Sequence, residues 1–322
     1  MDTQPTSPII VDEGIRENHQ PTPTPKSHSR MYRTLNIFFL ICACALGGYY
    51  TFSAPPIENN SQHTVVIHIS KDDTLSSVSN TLEVRNVVRY GVVLKYWTRV
   101  LGGNTLRIGD YKFMKGRPVW EIAWQIARAD HNVVPIRVTL KEGITNADIT
   151  RIFSDNISAF RKDLFITDVR YKQGYLFPDT YFFYPLSTTD EILDELSGNF
   201  KKRTKSLTSD IEKSGKSLED IIVMASIIEK EAKGEDDASM ISGILWKRIK
   251  IGMPLQADAA PITYREKGLP KEPIGNQGLV SIRASVYPTG SAYLYYLHDK
   301  KGQIHYAKTY DEHRKNISLY LR

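Results

Sequence analysis

The sequence contains very little cysteine. Its 322 residues include two, Cys42 and Cys44, and both lie inside one apolar segment. The rest of the chain therefore has neither a disulfide nor a cysteine metal cluster, because both need further cysteines. A composition that is 41% hydrophobic is ordinary for a globular protein, so packing alone must stabilise the fold after that segment.

The familiar nucleotide and zinc motifs are also missing. The stretch "SGKS" at 214–217 lacks the earlier glycine of a phosphate-binding loop, and neither G-x-G-x-x-G after a strand nor H-E-x-x-H occurs. Three C-terminal histidines, His298, His305 and His313, have no accompanying carboxylate pattern, which favours hydrogen-bonding or surface roles. The sequence thus predicts neither a cofactor nor a metal site.

The positive charge is not concentrated anywhere. There are 42 Lys and Arg against 36 Asp and Glu, a net charge of +6, and the basic residues are scattered through helix-like stretches. A nucleic-acid site usually gathers them into a patch, so we expect no nucleic-acid partner. A secreted nucleic-acid binder is the weakest hypothesis, and salt-sensitive DNA binding would support it.

One uncharged apolar run lies near the N-terminus. Residues 35–52, "LNIFFLICACALGGYYTF", approach the roughly 20 residues that cross a bilayer. Lys26, Arg30 and Arg33 precede the run and the next basic residue is Lys71, so the positive-inside rule predicts a cytoplasmic N-terminus and an extracytoplasmic remainder. A cleaved signal peptide is the alternative, because "ACA" has the small-x-small pattern. The long preceding segment and the flanking aromatics favour a retained single-pass anchor.

The chain divides by composition into five parts. Residues 1–34 predict a disordered cytoplasmic tail, 35–52 a transmembrane helix and 53–62 a Pro- and Asn-rich linker. Residues 63–140 alternate strand and helix patterns and predict a small α+β subdomain. Residues 141–322 predict a mainly helical domain with a short C-terminal β-hairpin, so the predicted fold class is α+β.

The segment "SLEDIIVMASIIEKEA" predicts a helix that is buried nearly all round and carries Glu229 and Glu231 at its C-terminal end. Burial and the negative end of the helix dipole both favour the neutral form of a carboxylate there, as a general acid requires. Ala225 shares a face with Glu229 and leaves room for a ligand. The alternative is an ordinary solvated helix end.

Polar and aromatic residues typical of sugar sites occur in irregular segments elsewhere. They are Gln256, Asp258 and Tyr264 in "PLQADAAPITY", Asn276 in "EPIGNQG", and Tyr175 and Asp179 in "GYLFPDTYFF". Loops of this length are more often functional than connective. For the aromatic residues of the last segment, core packing is an equally good interpretation.

Five stretches resemble, in order, the signatures of the endolytic murein transglycosylase family, also called YceG-like. They are "GYLFPDTY", "ASIIEKEA", "GILWKRIKIGMPLQAD", "GLPKEPIGNQGLVSIRASVYP" and "YLYYLHDKKGQIHYAKTYDEH". The agreement runs from about residue 64 to the C-terminus, behind an N-terminal anchor. Residues 63–140 resemble the LysM-like subdomain of the family, and 141–322 its catalytic domain.

The resemblance implies a lyase of the bacterial inner membrane. Such an enzyme cuts peptidoglycan glycan strands internally between N-acetylmuramic acid and N-acetylglucosamine and leaves 1,6-anhydromuramoyl ends. By position Glu229 is the catalytic acid, and the six polar and aromatic residues above orient the substrate. The family uses no cofactor or metal, and the implied partners are glycan strands and peptidoglycan synthases such as penicillin-binding proteins.

Two departures from the family pattern bear on activity. Gln173 stands where the family has Glu, and the segment 259–272 is shorter and lacks most of an "S-P-Y-N-T-Y" stretch, with Tyr264 in place of its final Tyr. The alternative function is therefore a peptidoglycan-binding scaffold of the cell-wall synthesis machinery that has little or no catalytic activity.

Overall fold

The computed structural model describes residues 28–56 and 64–321. Helix α1, His28–Ser53, contains the apolar run and forms a unit of its own, whereas the chain from Pro55 onwards forms a second compact unit. Among the described residues one helix is long and apolar enough to cross a membrane, over Met31–Tyr50, which fits an anchor or a signal sequence.

The predictions for the tail and the linker fall mostly outside the described residues, which exclude 1–27 and 57–63. Where the two overlap, the structure differs from the prediction: residues 28–34 belong to the helix and not to the tail. Arg30 and Arg33 occupy these turns, and a basic side chain is compatible with a helix at the edge of an apolar run.

The second unit is mixed α+β, mainly helical, with three two-stranded antiparallel sheets among the described residues. Its elements are β1 (Thr64–Ile69), α2 (Leu75–Val84), α3 (Gly91–Val100), β2 (Gly109–Met114), α4 (Val119–Arg128), β3 (Ile136–Thr139), α5 (Asn146–Asn156), α6 (Lys162–Asp168), β4 (Thr180–Phe183), α7 (Thr189–Thr204), α8 (Thr208–Ser214), α9 (Leu218–Glu231), α10 (Glu235–Lys250), α11 (Leu279–Val286), β5 (Tyr295–His298), β6 (Ile304–Ala307) and α12 (Tyr310–Tyr320).

The first sheet has its own hydrophobic core. Strands β1 and β2 pair from Thr64 opposite Met114 to Ile69 opposite Gly109, and α2, α3 and α4 pack their apolar faces against them. The largest buried side chains are Ile69, Leu82, Leu94, Tyr111, Phe113, Ile122 and Ile126. The strands and helices expected in 63–140 are present, and the LysM-like character of this part stays a prediction.

Helix starts follow the sequence closely, because their caps are local. Thr145 caps α5, its hydroxyl accepting the N–H of Asp148, and Pro118 directly precedes α4. Thr188 and Glu191 form a reciprocal capping box at the start of α7. Each cap satisfies backbone donors that a helix end otherwise leaves without a partner.

Three helices and one strand are absent from the sequence-based prediction. Helices α6 and α8 have seven residues each, too short for a clear apolar period, and α12 has no buried residue. Strand β4 lies in the aromatic segment 173–185 and pairs with β3, with Ile136 opposite Phe183. This long-range pairing brings the segment that follows β3 close to the segment that precedes β4.

A half-buried histidine connects the first sheet to α7. His68 on β1 contacts Asp110 through Nδ1 at 2.7 Å and Glu191 through Nε2 at 2.9 Å. Asp110 is fully buried and also accepts the N–H of Leu186 at 2.7 Å. Burial by itself would lower the pKa of His68, but its hydrogen bonds to Asp110 and Glu191 and the charges of both carboxylates outweigh that effect and raise the pKa to about 9.

We expect this triad to make stability depend on pH. The folded state favours protonated His68, so the contribution is fully present below pH 6.5, the ordinary pKa, and is lost as pH rises to about 9. Allowing for solvent screening, the free energy of unfolding should fall by about 2 kcal/mol across that window. Urea denaturation at pH 6 and pH 9.5 measures it. His68→Asn should remove the slope, the control His305→Asn should keep it, and an unchanged slope in His68→Asn would contradict the assignment.

Candidate active site

The candidate site is built around α9, which is buried as predicted. Ser217 caps its start by accepting the N–H of Asp220, and every residue over 221–228 is buried. Helices α10 and α11 pack against it, together with the loop residue Ile274, whose N–H donates to the hydroxyl of Ser226 at 3.1 Å. The C-terminal end of α9 therefore emerges from a core.

Glu229 lies half-buried in the last turn of α9. Its Oε2 accepts the backbone N–H of Gly278 at 2.9 Å, and Gly278 is the residue that precedes α11. The carboxylate thus meets the positive end of a second helix, where free N–H groups bind anions. This bond fixes one carboxylate oxygen and leaves Oε1 for proton transfer.

A second carboxylate, Glu142, lies beside Glu229 and was missed in the sequence. A Cβ built on Gly278 would overlap Oε1 of Glu142, so this carboxylate occupies the space next to the α-carbon of Gly278. Burial, and after it the negative charge of Glu229, raises the pKa of Glu142. The sequence did contain one signal for Glu142, because the pair Glu142-Gly143 lies at the turn between a strand and a capped helix.

Asn276 joins three segments at the site. Its Oδ1 accepts the N–H groups of Gly174 at 2.9 Å and Leu176 at 3.0 Å, and its Nδ2 donates to the carbonyl of Ile144 at 3.0 Å and to Oδ1 of Asn146 at 2.9 Å. We call these four bonds the Asn276 junction. Asn276 is completely buried and its amide is fully used by the protein. The amide therefore holds three segments of the fold together, and the substrate contact expected of Asn276 stays a prediction.

Gln173 supports the same junction. Its Nε2 donates to the carbonyl of Pro273 at 2.7 Å, and its Oε1 accepts the N–H of Asn146 at 3.2 Å. An ionised carboxylate has no proton to donate, so only the amide satisfies both neighbours. The departure from the family pattern at Gln173 thus has a structural use in this chain.

Three predicted site residues line one cavity of about 540 Å³. Gln256 has a left-handed backbone, with φ of +50°, which is uncommon for a residue other than glycine and is concentrated at functional sites. The Tyr264 hydroxyl donates to Asp258 at 2.5 Å. That hydrogen bond, followed by burial, raises the pKa of Tyr264 to about 12. Gln256, Asp258 and Tyr264 therefore lie close together, which is consistent with their short separation in the sequence.

Of the two glutamates at the end of α9, Glu231 lines this cavity and Glu229 does not. Burial raises the pKa of Glu231, and the Tyr296 hydroxyl donates to its Oε2 at 3.1 Å. Arg248 also lines the cavity, is 5% exposed, and donates to the carbonyl oxygens of Leu255 and Leu294. The cavity thus combines the buried Arg248 cation, the Glu231 carboxyl group and several tyrosine hydroxyls, and Glu231 lies two residues after Glu229 in the chain.

Tyr175 and Asp179 lie in other surroundings. The ring of Tyr175 packs on Phe200 at 5.2 Å and borders a separate cavity of about 360 Å³. Burial by itself would raise the pKa of Asp179, but hydrogen bonds from Thr180 and from the α7 residues Asn199 and Arg203 outweigh it and lower that pKa. Both side chains contact α7, and their predicted substrate contacts stay predictions.

The segment 259–272 is fixed at both ends. Near its start the hydroxyl of Thr263 accepts the N–H of Ala257 at 2.9 Å and donates to the carbonyl of Ala260 at 2.7 Å. Just after its end, Pro273 and Ile274 bind Gln173 and Ser226. The loop between these points forms one wall of the region around α9.

Two of the three C-terminal histidines, His298 and His305, have carboxylate partners. His305 contacts Asp299 at 3.1 Å and stacks on Tyr320, and His298 contacts Asp237 at 3.4 Å. Within residues 28–56 and 64–321, no group of three or more His, Cys, Asp or Glu side chains is arranged to hold a metal ion. These contacts agree with hydrogen-bonding roles.

The fold and the site define a class of mixed α+β proteins in which a buried helix presents a glutamate to the N-terminus of a neighbouring helix. The model of the YceG-like family matches residues 67–262 and 262–319, most of the chain. The chain belongs to the YceG-like family.

Two curated relatives carry the name endolytic murein transglycosylase. The protein of Bacillus subtilis (strain 168) is 25% identical over 331 residues, which cover 86% of this chain and 91% of that protein. The protein of Streptococcus pneumoniae (strain D39) is 23% identical over 364 residues, which cover 92% of this chain and 66% of that protein. A crystal structure of a YceG-like protein from Listeria monocytogenes shares the fold, with a TM-score of 0.52 and 24% identity over 79% of this chain and 99% of that one.

Proposed function

We propose that the protein is a membrane-anchored endolytic peptidoglycan lytic transglycosylase. The observation that carries the proposal is Glu229, a half-buried carboxylate that one backbone N–H orients at the end of a buried helix, with a polar cavity at Glu231 two residues further along the chain. The names of the curated relatives agree with this chemistry. The substrate is a glycan strand of alternating N-acetylglucosamine and N-acetylmuramic acid.

One carboxyl group suffices for the reaction. Protonated Glu229 donates its proton to the glycosidic oxygen as the bond from that oxygen to C1 of the muramoyl ring breaks. The C6 hydroxyl oxygen of the same ring then forms a bond to C1, and its proton passes to the Glu229 carboxylate. The acid is regenerated, water is not consumed, and the product is a 1,6-anhydromuramoyl end.

The cavity at Glu231, two residues along the chain from Glu229, supplies binding groups in this proposal. Gln256, Asp258 and Tyr264 carry amide, carboxylate and phenol groups that exchange hydrogen bonds with sugar hydroxyl and acetamido groups. Glu231 and Arg248 form its interior. In this proposal the strand extends from this cavity past the end of α9 to Glu229, and so lies on both sides of the bond that is cut, as internal cleavage requires.

The N-terminal helix places the reaction at a membrane in this proposal. Helix α1 acts as a single-pass anchor with a cytoplasmic N-terminus, so the second unit lies outside the cytoplasmic membrane, where nascent peptidoglycan is found. The anchor also keeps the enzyme near peptidoglycan synthases, which we propose as partners. The support is the length and hydropathy of Met31–Tyr50 and the basic residues before it.

A cleavage assay tests the function. Full-length protein in detergent is incubated with un-crosslinked glycan strands, and the products are separated by length and identified by mass spectrometry. We expect shorter strands with anhydromuramoyl ends, with cuts in the interior of the strand. Intact strands that bind the protein would favour the scaffold, for which the short segment 259–272 is the motivating observation.

A further inference from the structure

Glu142 and Glu229 approach the same glycine from different segments. Glu229 accepts the N–H of Gly278 at 2.9 Å, and Glu142 lies against the α-carbon of that residue. Combined with the covalent geometry of a single residue, these contacts place the two carboxylates within roughly 8 Å of each other. The acid of the proposed reaction thus has a carboxylate neighbour.

The position of Glu142 is fixed by the backbone that carries it. The N–H of Gly143 donates to the carbonyl of Asn276 at 2.7 Å, and the N–H of Asn276 donates to the carbonyl of Ile144 at 2.8 Å. Gly143 has a φ of +74°, which favours glycine, and a Cβ there would lie 2.8 Å from Nζ of Lys230. The turn is therefore closely packed, and the Asn276 junction holds it in place.

Glu142 differs from Glu229 in exposure. Its side chain is exposed, whereas that of Glu229 is half-buried, so solvent reaches Glu142 more freely than it reaches the proposed acid. Charged side chains at and near the turn include those of Lys141, Glu142, Glu229 and Lys230. Burial and then the negative charge of Glu229 raise the pKa of Glu142, so protonation of Glu229 removes one cause of the rise and favours an ionised Glu142, which can act on a cation that forms there.

We propose that Glu142 is a further catalytic residue, whose carboxylate stabilises the positive charge that develops at C1 and the ring oxygen of the muramoyl residue. This inference rests on the proposed function, because the cation forms only if the glycosidic bond breaks before the C6 oxygen attacks. Glu229 transfers the proton, and Glu142 supplies a fixed negative charge that forms no bond. We assign the two roles in this way because a backbone N–H orients the Glu229 carboxylate, whereas the Glu142 carboxylate is exposed.

Two variants of the full-length protein remove the Glu142 charge from the site by different routes. Glu142→Gln keeps the shape and deletes the charge. Gly278→Ala keeps the backbone N–H that binds Glu229, and its φ of −76° suits alanine, but the new Cβ displaces the flexible end of Glu142. Glu212→Gln, an exposed glutamate on α8, is the matched control.

The readouts are kcat and KM for release of anhydromuramoyl ends, and inhibition by a cationic imino sugar compared with its neutral lactam. For Glu142→Gln and Gly278→Ala we expect kcat to fall by about 10²-fold with little change in KM. We also expect the preference for the cationic inhibitor to disappear in both. Glu212→Gln should match the wild-type protein in each measurement.

The outcomes separate the two proposals. Wild-type protein that releases no anhydromuramoyl ends would overturn the proposed function, and the role of Glu142 with it. Active wild-type protein together with Glu142→Gln of unchanged kcat and unchanged inhibitor preference would overturn the role of Glu142 alone. A fall in kcat with the cationic preference intact would show a structural effect and equally overturn it.

Discussion

Glu229→Gln abolishes the release of anhydromuramoyl ends, lowering turnover by about 10³-fold while glycan binding is retained. The amide is isosteric and keeps an oxygen that accepts the N–H of Gly278, so the local structure is preserved. It has no acidic proton for the glycosidic oxygen and cannot receive one from the C6 hydroxyl. Mass spectrometry of the products, combined with pull-down of glycan strands, measures both effects.

Glu231→Gln is the matched control for this experiment. Glu231 lies on the same helix end but in the cavity with Asp258, Tyr264 and Tyr296. Its amide variant should weaken glycan binding, seen as a raised KM, and still yield anhydromuramoyl ends. The reverse result, with Glu231→Gln inactive and Glu229→Gln active, would transfer the acid role to Glu231 and its buried carboxyl group.

Asn276→Ala lowers the free energy of unfolding by about 3 to 5 kcal/mol and abolishes activity. The substitution leaves the N–H groups of Gly174 and Leu176 and Oδ1 of Asn146 without the partners of the Asn276 junction, in a region closed to water. Unsatisfied buried polar groups of this kind are costly. Urea denaturation followed by circular dichroism measures the loss.

Two variants control the interpretation of Asn276→Ala. Asn80→Ala removes an exposed amide on α2 and should change stability by less than about 0.5 kcal/mol. Asn276→Asp keeps an acceptor for Gly174 and Leu176 but loses the donor to Ile144, so it should also destabilise the fold. An Asn276→Ala protein as stable as the Asn80→Ala protein would be incompatible with the junction.

Features specified by neighbouring residues were predictable from the sequence. The buried helix α9 follows from a continuous apolar run, the start of α5 from the local hydrogen bond between Thr145 and Asp148, and the hairpin of β5 and β6 from two short strands around a turn. Gln256, Asp258 and Tyr264 were grouped correctly because they are separated by only a few residues. Local chemistry decides all of these features.

Features that depend on distant residues were not predictable. Asn276 bonds to Asn146 across 130 positions and to Leu176 across 100, and nothing in its own neighbourhood signals that its amide is consumed by the protein. Glu142 approaches Glu229 only because the Asn276 junction brings its turn to the end of α9. One sequence shows the residue types, whereas these contacts arise from the packed fold.

Because segment 259–272 is fixed at both ends, a change in its length can alter substrate specificity without altering the proposed catalytic residues. Thr263 anchors one end and Ser226 and Gln173 the other, so residues can be gained or lost between them without moving α9 or the turn of Glu142. Under the proposed function, shortening of the loop changes which length or decoration of glycan fits beside the wall. One loop can then be altered to suit a differently modified cell wall while the proposed acid and its supports stay intact.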